Sequence, residues 1–162
     1  MEKLLAGLCV LLLIVFAIPS PSNADSVGVM TWVSASGTDS GSCNTPALAC
    51  ATLLYAYNHT EPGGAINCIS PNFSFSSSTI TITHAITIDC RDANFLLDGF
   101  GTDAITVNAG SNDDVTLRGL RFDGDGSIDI PDLTGVKFNS GGSLHIEDCT
   151  FTNYSTAGVS IA

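Results

Sequence analysis

Three similar segments, Ile86-Thr87-Ile88, Val115-Thr116-Leu117 and Leu144-His145-Ile146, begin at positions 86, 115 and 144, a step of 29 each time. A fixed period of this length marks a repeat architecture, in which each unit is too small to bury its own apolar side and stacks on its neighbours to do so. Each segment reads apolar, polar, apolar, the alternation of a strand with one buried face. The same alternation recurs at Ile80-Thr81-Ile82, Ile105-Thr106-Val107, Val136-Lys137-Phe138 and Val159-Ser160-Ile161. Each repeat also carries a middle segment: Phe95-Leu96-Leu97-Asp98-Gly99, Leu120-Arg121-Phe122-Asp123-Gly124, then Cys149-Thr150-Phe151. The pattern predicts an all-β chain folded as a right-handed parallel β-helix, a solenoid with three short strands per rung. A leucine-rich repeat would show an L-x-x-L-x-L frame, which is missing. A β-sandwich would not produce two equal intervals.

Residues 1–24 read differently. Lys3 leads into an apolar run from Leu4 to Ile18, followed by Pro19 to Ala24 with small residues before Asp25. This predicts a secretory signal peptide over residues 1–24 and no membrane span after its cleavage, because the apolar run falls short of the roughly 20 positions that cross a bilayer. The expected location is secreted or periplasmic. Glu2 and Lys3 are the only charges in this leader, so the net charge of −11 belongs whole to the remainder. Such a charge argues against a duplex nucleic-acid partner.

Beyond Cys9, five cysteines remain in a compartment that permits disulfides. Cys43 and Cys50 flank a short Pro-containing loop and are the best local pair, while Cys68 and Cys90 lie one plausible rung apart. Cys149 is expected to be the leftover. No C-x-x-C occurs, and His59, His84 and His145 are scattered, so a zinc site is not expected.

Residues 25–64 form a different unit: a short strand at Thr31-Trp32-Val33-Ser34, the Cys43 to Cys50 loop, and a short amphipathic helix over 52–59 stopped by Pro62-Gly63-Gly64. Such a segment is expected to cap the open end of rungs that occupy residues 65–162. At the other end the sequence stops at Ala162, directly after Val159-Ser160-Ile161. The expectation is a truncated array, with an oligomer sealed through the C-terminal rung as the alternative.

The segments Trp32-Val33-Ser34-Ala35-Ser36-Gly37-Thr38-Asp39, the Cys-Pro-Cys loop, Ala51-Thr52-Leu53, Pro62-Gly63-Gly64, 117–124 and 142–149 resemble secreted bacterial right-handed parallel β-helix repeat proteins of the pectin-lyase-like superfamily. The likeness covers essentially the whole mature chain. It implies the fold; the branch resembled is an uncharacterised one, so it implies a scaffold more than a reaction.

Three candidate sites emerge. The repeat register places Asp89, Arg118 and Glu147 at equivalent positions on successive rungs. An enzymatic reading makes Arg118 the catalytic base or charge stabiliser of a polysaccharide lyase, with Asp89 and Glu147 binding substrate or cation. The plainer reading is a surface ion-pair ladder, favoured because one arginine held between two acids is poorly placed as a base. The second candidate is the acid-rich stretch 123–132, where Asp123, Asp125, Asp129 and Asp132 follow the spacing of an EF-hand calcium loop with Gly126 at the turn. Arg121 holds the first ligand position and no helices flank the stretch, so an acid-decorated turn competes with the Ca2+ reading. The third is the pair Asp113-Asp114, which adjacent strand positions would point to opposite faces. Asn108 and Asn139 are expected at stacked turns, where asparagine tolerates left-handed backbone. The aromatics Trp32, Tyr55, Tyr57, Phe73, Phe75, Phe100 and Tyr154 offer a sugar-stacking platform unless they fall in the cap or core. The resulting expectation is a secreted β-helix scaffold whose activity the sequence leaves open, leaning to a non-catalytic one without a cofactor, binding polysaccharide or a cell-surface component along its flat faces. A calcium-dependent polysaccharide lyase is the alternative.

Overall fold

The computed structural model describes residues 28–69, 74–76, 79–99, 101–124 and 131–162, with the backbone alone for 74–76. The leader at 1–24 and its cleavage point lie outside the described residues. Among the described residues, no helix is long and apolar enough to cross a membrane.

The fold is all-β with parallel sheets. Strand β1 (Gly28–Val33) and helix α1 (Leu53–Asn58) precede β2 (Thr60–Cys68), β3 (Ser74–Ser76), β4 (Ile80–Ile82), β5 (Ile86–Asp89), β6 (Phe95–Leu97) and β7 (Ile105–Asn108). The chain continues through β8 (Asp114–Arg118), β9 (Arg121–Asp123), β10 (Thr134–Ser140), β11 (Ser143–Glu147), β12 (Thr150–Thr152) and β13 (Ala157–Ile161). From β2 to β10, each strand pairs in parallel with the strand three places later. Three sheets result: β1-β2-β5-β8-β11, β3-β6-β9-β12, and β4-β7-β10-β13.

The alternation seen in the sequence sets the register. In the first sheet Ile66, Ile88 and Leu117 stand in one column, each with no exposed surface, and Ile86 pairs with Val115, which pairs with Leu144. The third sheet stacks Ile82 on Val107, and the second stacks Leu97 on Phe122. Phe122 in turn stacks on Phe151 with ring centroids 4.6 Å apart. Each fully buried side chain of this kind contributes on the order of 1.5–3 kcal/mol, so these columns are the main stabilising term. The equal steps of the first sheet, from Ile86 to Val115 to Leu144, are not repeated in the third. There the steps from Ile80 to Ile105, on to Val136 and on to Val159 are all unequal. Turns of different length absorb the difference while the strands keep register.

At the N-terminal side the helix forms where expected. The Thr52 hydroxyl accepts from the Tyr55 N–H, and Asp39 accepts from the Ala51 and Thr52 N–H groups. So short a helix cannot hold by itself; burial of Leu53, Ala56 and Tyr57 secures it. The expected stop at Pro62-Gly63-Gly64 is corrected: these residues lie inside β2. Gly28 pairs with Thr60 and Met30 with Ala65, so residues 61–64 form a bulge, and Gly63 takes φ 81°, which glycine tolerates. The expected boundary between 64 and 65 thus falls within a strand, and β1 and β2 are part of the first sheet. The Cys43–Cys50 loop covers the outer edge of β1: Trp32 N–H donates to the Cys43 carbonyl, and the Cys50 and Ser34 N–H groups complete the edge, donating to the Trp32 and Cys50 carbonyls. Strand β3, being Ser-Phe-Ser, has one apolar residue and no β-branched one to announce it.

Two disulfides, Cys43–Cys50 and Cys68–Cys90, join the expected pairs across Cα separations of 5.4 and 4.6 Å. They fit an oxidising compartment. Cys149 is unpaired and half-buried, and burial raises its thiol pKa.

Candidate functional site

The outer face of the first sheet gathers the chemistry-bearing residues. Buried positions alternate with outward ones along each strand, so residues two apart share a face. Trp32 lies between buried Thr31 and Val33, Asn67 between Ile66 and Cys68, Asp89 between Ile88 and Cys90. Register brings them together. Trp32 pairs with Asn67, Asn67 with Asp89, Asp89 with Arg118, and Arg118 with Glu147. This single column crosses the whole sheet, roughly 19 Å at the usual strand spacing. A second outward column runs beside it through Met30, Ala65, Thr87, Thr116 and His145.

The stacking of Asp89, Arg118 and Glu147 agrees with the sequence register, but the expected bridge of one arginine between two acids does not form. Arg91 takes Asp89 instead, its Nε at 3.0 Å from Oδ1 and its Nη2 at 2.6 Å from Oδ2. Arg118 turns to Glu147, with Nε at 2.7 Å from Oε2. The cause is local: Arg91 follows Asp89 closely in the turn that leaves β5, and its N–H also bonds that carboxylate. Arg91's hydrogen bonds hold Asp89 below the usual carboxylate range, and those of Arg118 do the same for Glu147. An arginine so engaged is a poor base. Sequence reading missed Arg91 and Asn67. The one signal for Asn67 is that it precedes Cys68 as Asp89 precedes Cys90.

At the Trp32 end of the column lies a cleft of about 320 Å³ whose lining includes Met30, Trp32, Asn67, Asp89 and Asp92. The other described cations are also engaged. Lys137 pairs with Asp103 at 3.3 Å, and Arg121 donates to the Asn94 side chain at 3.0 Å.

Only the two ends of the acid-rich stretch, Asp123 and Asp132, fall among the described residues. Asp125 and Asp129 lie outside them. Asp123 accepts from the Thr152 hydroxyl and the Asn153 amide, and Asp132 is fully buried and accepts from the Gly101 N–H. Asp132, read from the sequence as the last ligand of a calcium loop, thus ties the turn that precedes β10 to the turn after β6. Among the described residues no three His, Cys, Asp or Glu side chains stand together as metal ligands. Asp113 and Asp114 diverge as expected: Asp113 accepts from the Gly110 N–H, and Asp114 accepts from the Ser143 hydroxyl. Asn139 does donate to Asn108 at 2.9 Å, but both lie in strands, Asn108 at the end of β7 and Asn139 within β10, where turns were expected; left-handed backbone falls instead at Asp148 and Asn153.

Of the aromatics, Tyr57 is buried and stacks on His84, while Tyr55 stacks on His59. Tyr154 is half-buried, its hydroxyl pKa pushed far up by burial and by the nearby carboxylates of Asp132, Asp98 and Asp123. Trp32 alone among them stands in the outward column. Phe73, Phe100 and the side chain of Phe75 lie outside the described residues. The chain matches no protein-family model, no curated protein and no solved structure.

Proposed function

We propose that this chain is a secreted right-handed parallel β-helix of the pectin-lyase-like kind, acting as a non-catalytic scaffold that binds a polysaccharide along the outer face of its first sheet. The observation that carries the reading is the column from Trp32 to Glu147, in register on one face of a five-stranded sheet whose reverse side is apolar. Three parallel sheets filled in strict rotation by successive strands support the solenoid. The leader-like N-terminus and two disulfides support export. An open row of polar groups across a sheet suits an extended polymer better than a small molecule, which prefers an enclosed, largely apolar pocket.

Affinity electrophoresis of the mature chain against neutral, amino-bearing and acidic polysaccharides tests this, with parallel analysis of the polymers for cleavage. Retardation by at least one polymer without cleavage is the expected result. No retardation by any polymer overturns the binding reading, and appearance of unsaturated fragments overturns the non-catalytic one.

A further inference from the structure

We infer that the cleft at the capped end of the column, formed by Trp32, Asn67 and Asp92, is a subsite for one neutral pyranose ring of the bound glycan. This rests on the polysaccharide-binding reading and adds where a ring is held and which charge class is accepted.

A pyranose presents an apolar C–H face and a rim of hydroxyls. It needs a flat apolar platform beside donors and acceptors set for the rim. The Trp32 indole is large, flat and amphipathic, and it is partly exposed on the outward side of β1. Its register neighbour Asn67 offers both an amide donor and a carbonyl acceptor. Among the described residues neither the Asn67 amide nor the Trp32 indole N–H has a hydrogen-bond partner, so both are available to a ligand. Asp92, exposed in the turn after Asp89, supplies a carboxylate acceptor on the same cleft.

The platform is rigid. Trp32's own backbone N–H and carbonyl are both tied to the Cys43–Cys50 loop, and Cys68–Cys90 lies directly beyond Asn67 and Asp89. A preformed site avoids the ordering cost that a mobile one incurs on binding.

Charge sets the class. The cleft holds two carboxylates, Asp89 and Asp92. Arg91 is turned onto Asp89, and the other described cations are engaged elsewhere. On a chain of net charge −11, a uronate or sulfated ring meets repulsion with no free cation among the described residues to offset it.

The test uses a convenience of composition: Trp32 is the only tryptophan. Its fluorescence is followed while a neutral hexose polysaccharide, and separately polygalacturonate, is added at matched ionic strength. The expected result is a saturable change with the neutral polymer and none with polygalacturonate. Trp32→Ala is expected to weaken binding about tenfold in affinity electrophoresis, the equivalent of roughly 1.4 kcal/mol, and Asn67→Ala and Asp92→Ala to weaken it less. Circular dichroism confirms that each variant is folded, and the two surface variants stand in should Trp32→Ala fail to fold. Binding of neutral polymer with unchanged fluorescence and unaffected variants overturns the subsite while leaving the binding face intact. Equal or stronger binding of polygalacturonate overturns the charge class. Absence of binding to any polymer overturns the subsite together with the reading beneath it.

Discussion

Arg118 and Glu147 occupy the same position on neighbouring parallel strands, and the arginine Nε reaches the carboxylate at 2.7 Å. Parallel in-register stacking makes this possible, because each residue meets its equivalent in the next repeat. The same geometry would set like charges against each other, were the residue at 118 acidic. Arg118→Glu is therefore expected to place a third carboxylate in the column between Asp89 and Glu147, and to destabilise the fold. The loss should be modest at these exposed positions, should shrink in high salt, and should diminish as pH falls and the acids protonate. Thermal melts across pH and salt check it; a melting temperature indifferent to both would contradict the account.

Cys68 and Cys90 clamp β2 to the turn after β5 directly behind the outward column. Their sequence separation is 22, and replacing both by alanine releases that loop in the unfolded chain, which is expected to cost about 3 kcal/mol. Urea unfolding of the variant measures this. A midpoint unchanged from the parent would show that the bond adds nothing to the stability of the stack.

His84 ties helix α1 to the turn between β4 and β5. Its Nδ1 lies 2.9 Å from the Tyr57 hydroxyl, which also accepts from the Thr83 N–H, while its Nε2 is buried with no partner among the described residues. The Nδ1–H tautomer, donating to Tyr57, leaves only a bare lone pair at Nε2, whereas the imidazolium would leave an N–H unsatisfied. Burial lowers the pKa of His84, partly opposed by Asp113. A histidine depressed in the folded state binds its proton more readily when unfolded. Stability is thus full above the usual value of 6.5 and falls as pH drops below it, levelling off beneath the folded pKa. Hydrogen-exchange protection of the Leu53–Asn58 amides, corrected for the intrinsic effect of pH, should fall between neutral and mildly acidic pH. His84→Gln should flatten that dependence; an unchanged slope would place its origin elsewhere.

Tyr154 offers the opposite experiment. Its hydroxyl is buried without a hydrogen-bond partner among the described residues, and burial together with Asp132, Asp98 and Asp123 disfavours its ionised form. Removing an unsatisfied hydroxyl removes a desolvation penalty, so Tyr154→Phe is expected to be neutral or stabilising by up to about 1 kcal/mol. A clear drop in the urea midpoint would reveal a bond that the hydroxyl does make.

Much of the fold is legible in the residues themselves. Strands that alternate, such as Ile86-Thr87-Ile88 and Val115-Thr116-Leu117, stand out because period-two patterning is a direct consequence of burying one face. Cys43 with Cys50 and Cys68 with Cys90 follow from spacing. Ser74–Ser76 escapes notice because it holds a single apolar residue and no β-branched one, and the Pro62-Gly63-Gly64 bulge reads as a break because the same residues serve both purposes. Of the candidate site, the stacking of Asp89, Arg118 and Glu147 is visible in the repeat. Arg91 is not, because its claim on Asp89 depends on how a turn directs its side chain, which no periodicity reports.

What the sequence determined by itself is the repeating unit and the inward face: apolar, often β-branched residues at every second position, with one equal interval shared by the segments at Ile86, Val115 and Leu144, leave parallel stacking as the way to bury them. Which outward residues become neighbours was decided only by the tertiary structure. The spacings from Trp32 to Asn67 and from Asn67 to Asp89 match neither each other nor the repeat. Their juxtaposition depends on the lengths of intervening turns and on a bulge at Gly63, and register across strands, once set by the buried columns, carries the exposed positions with it.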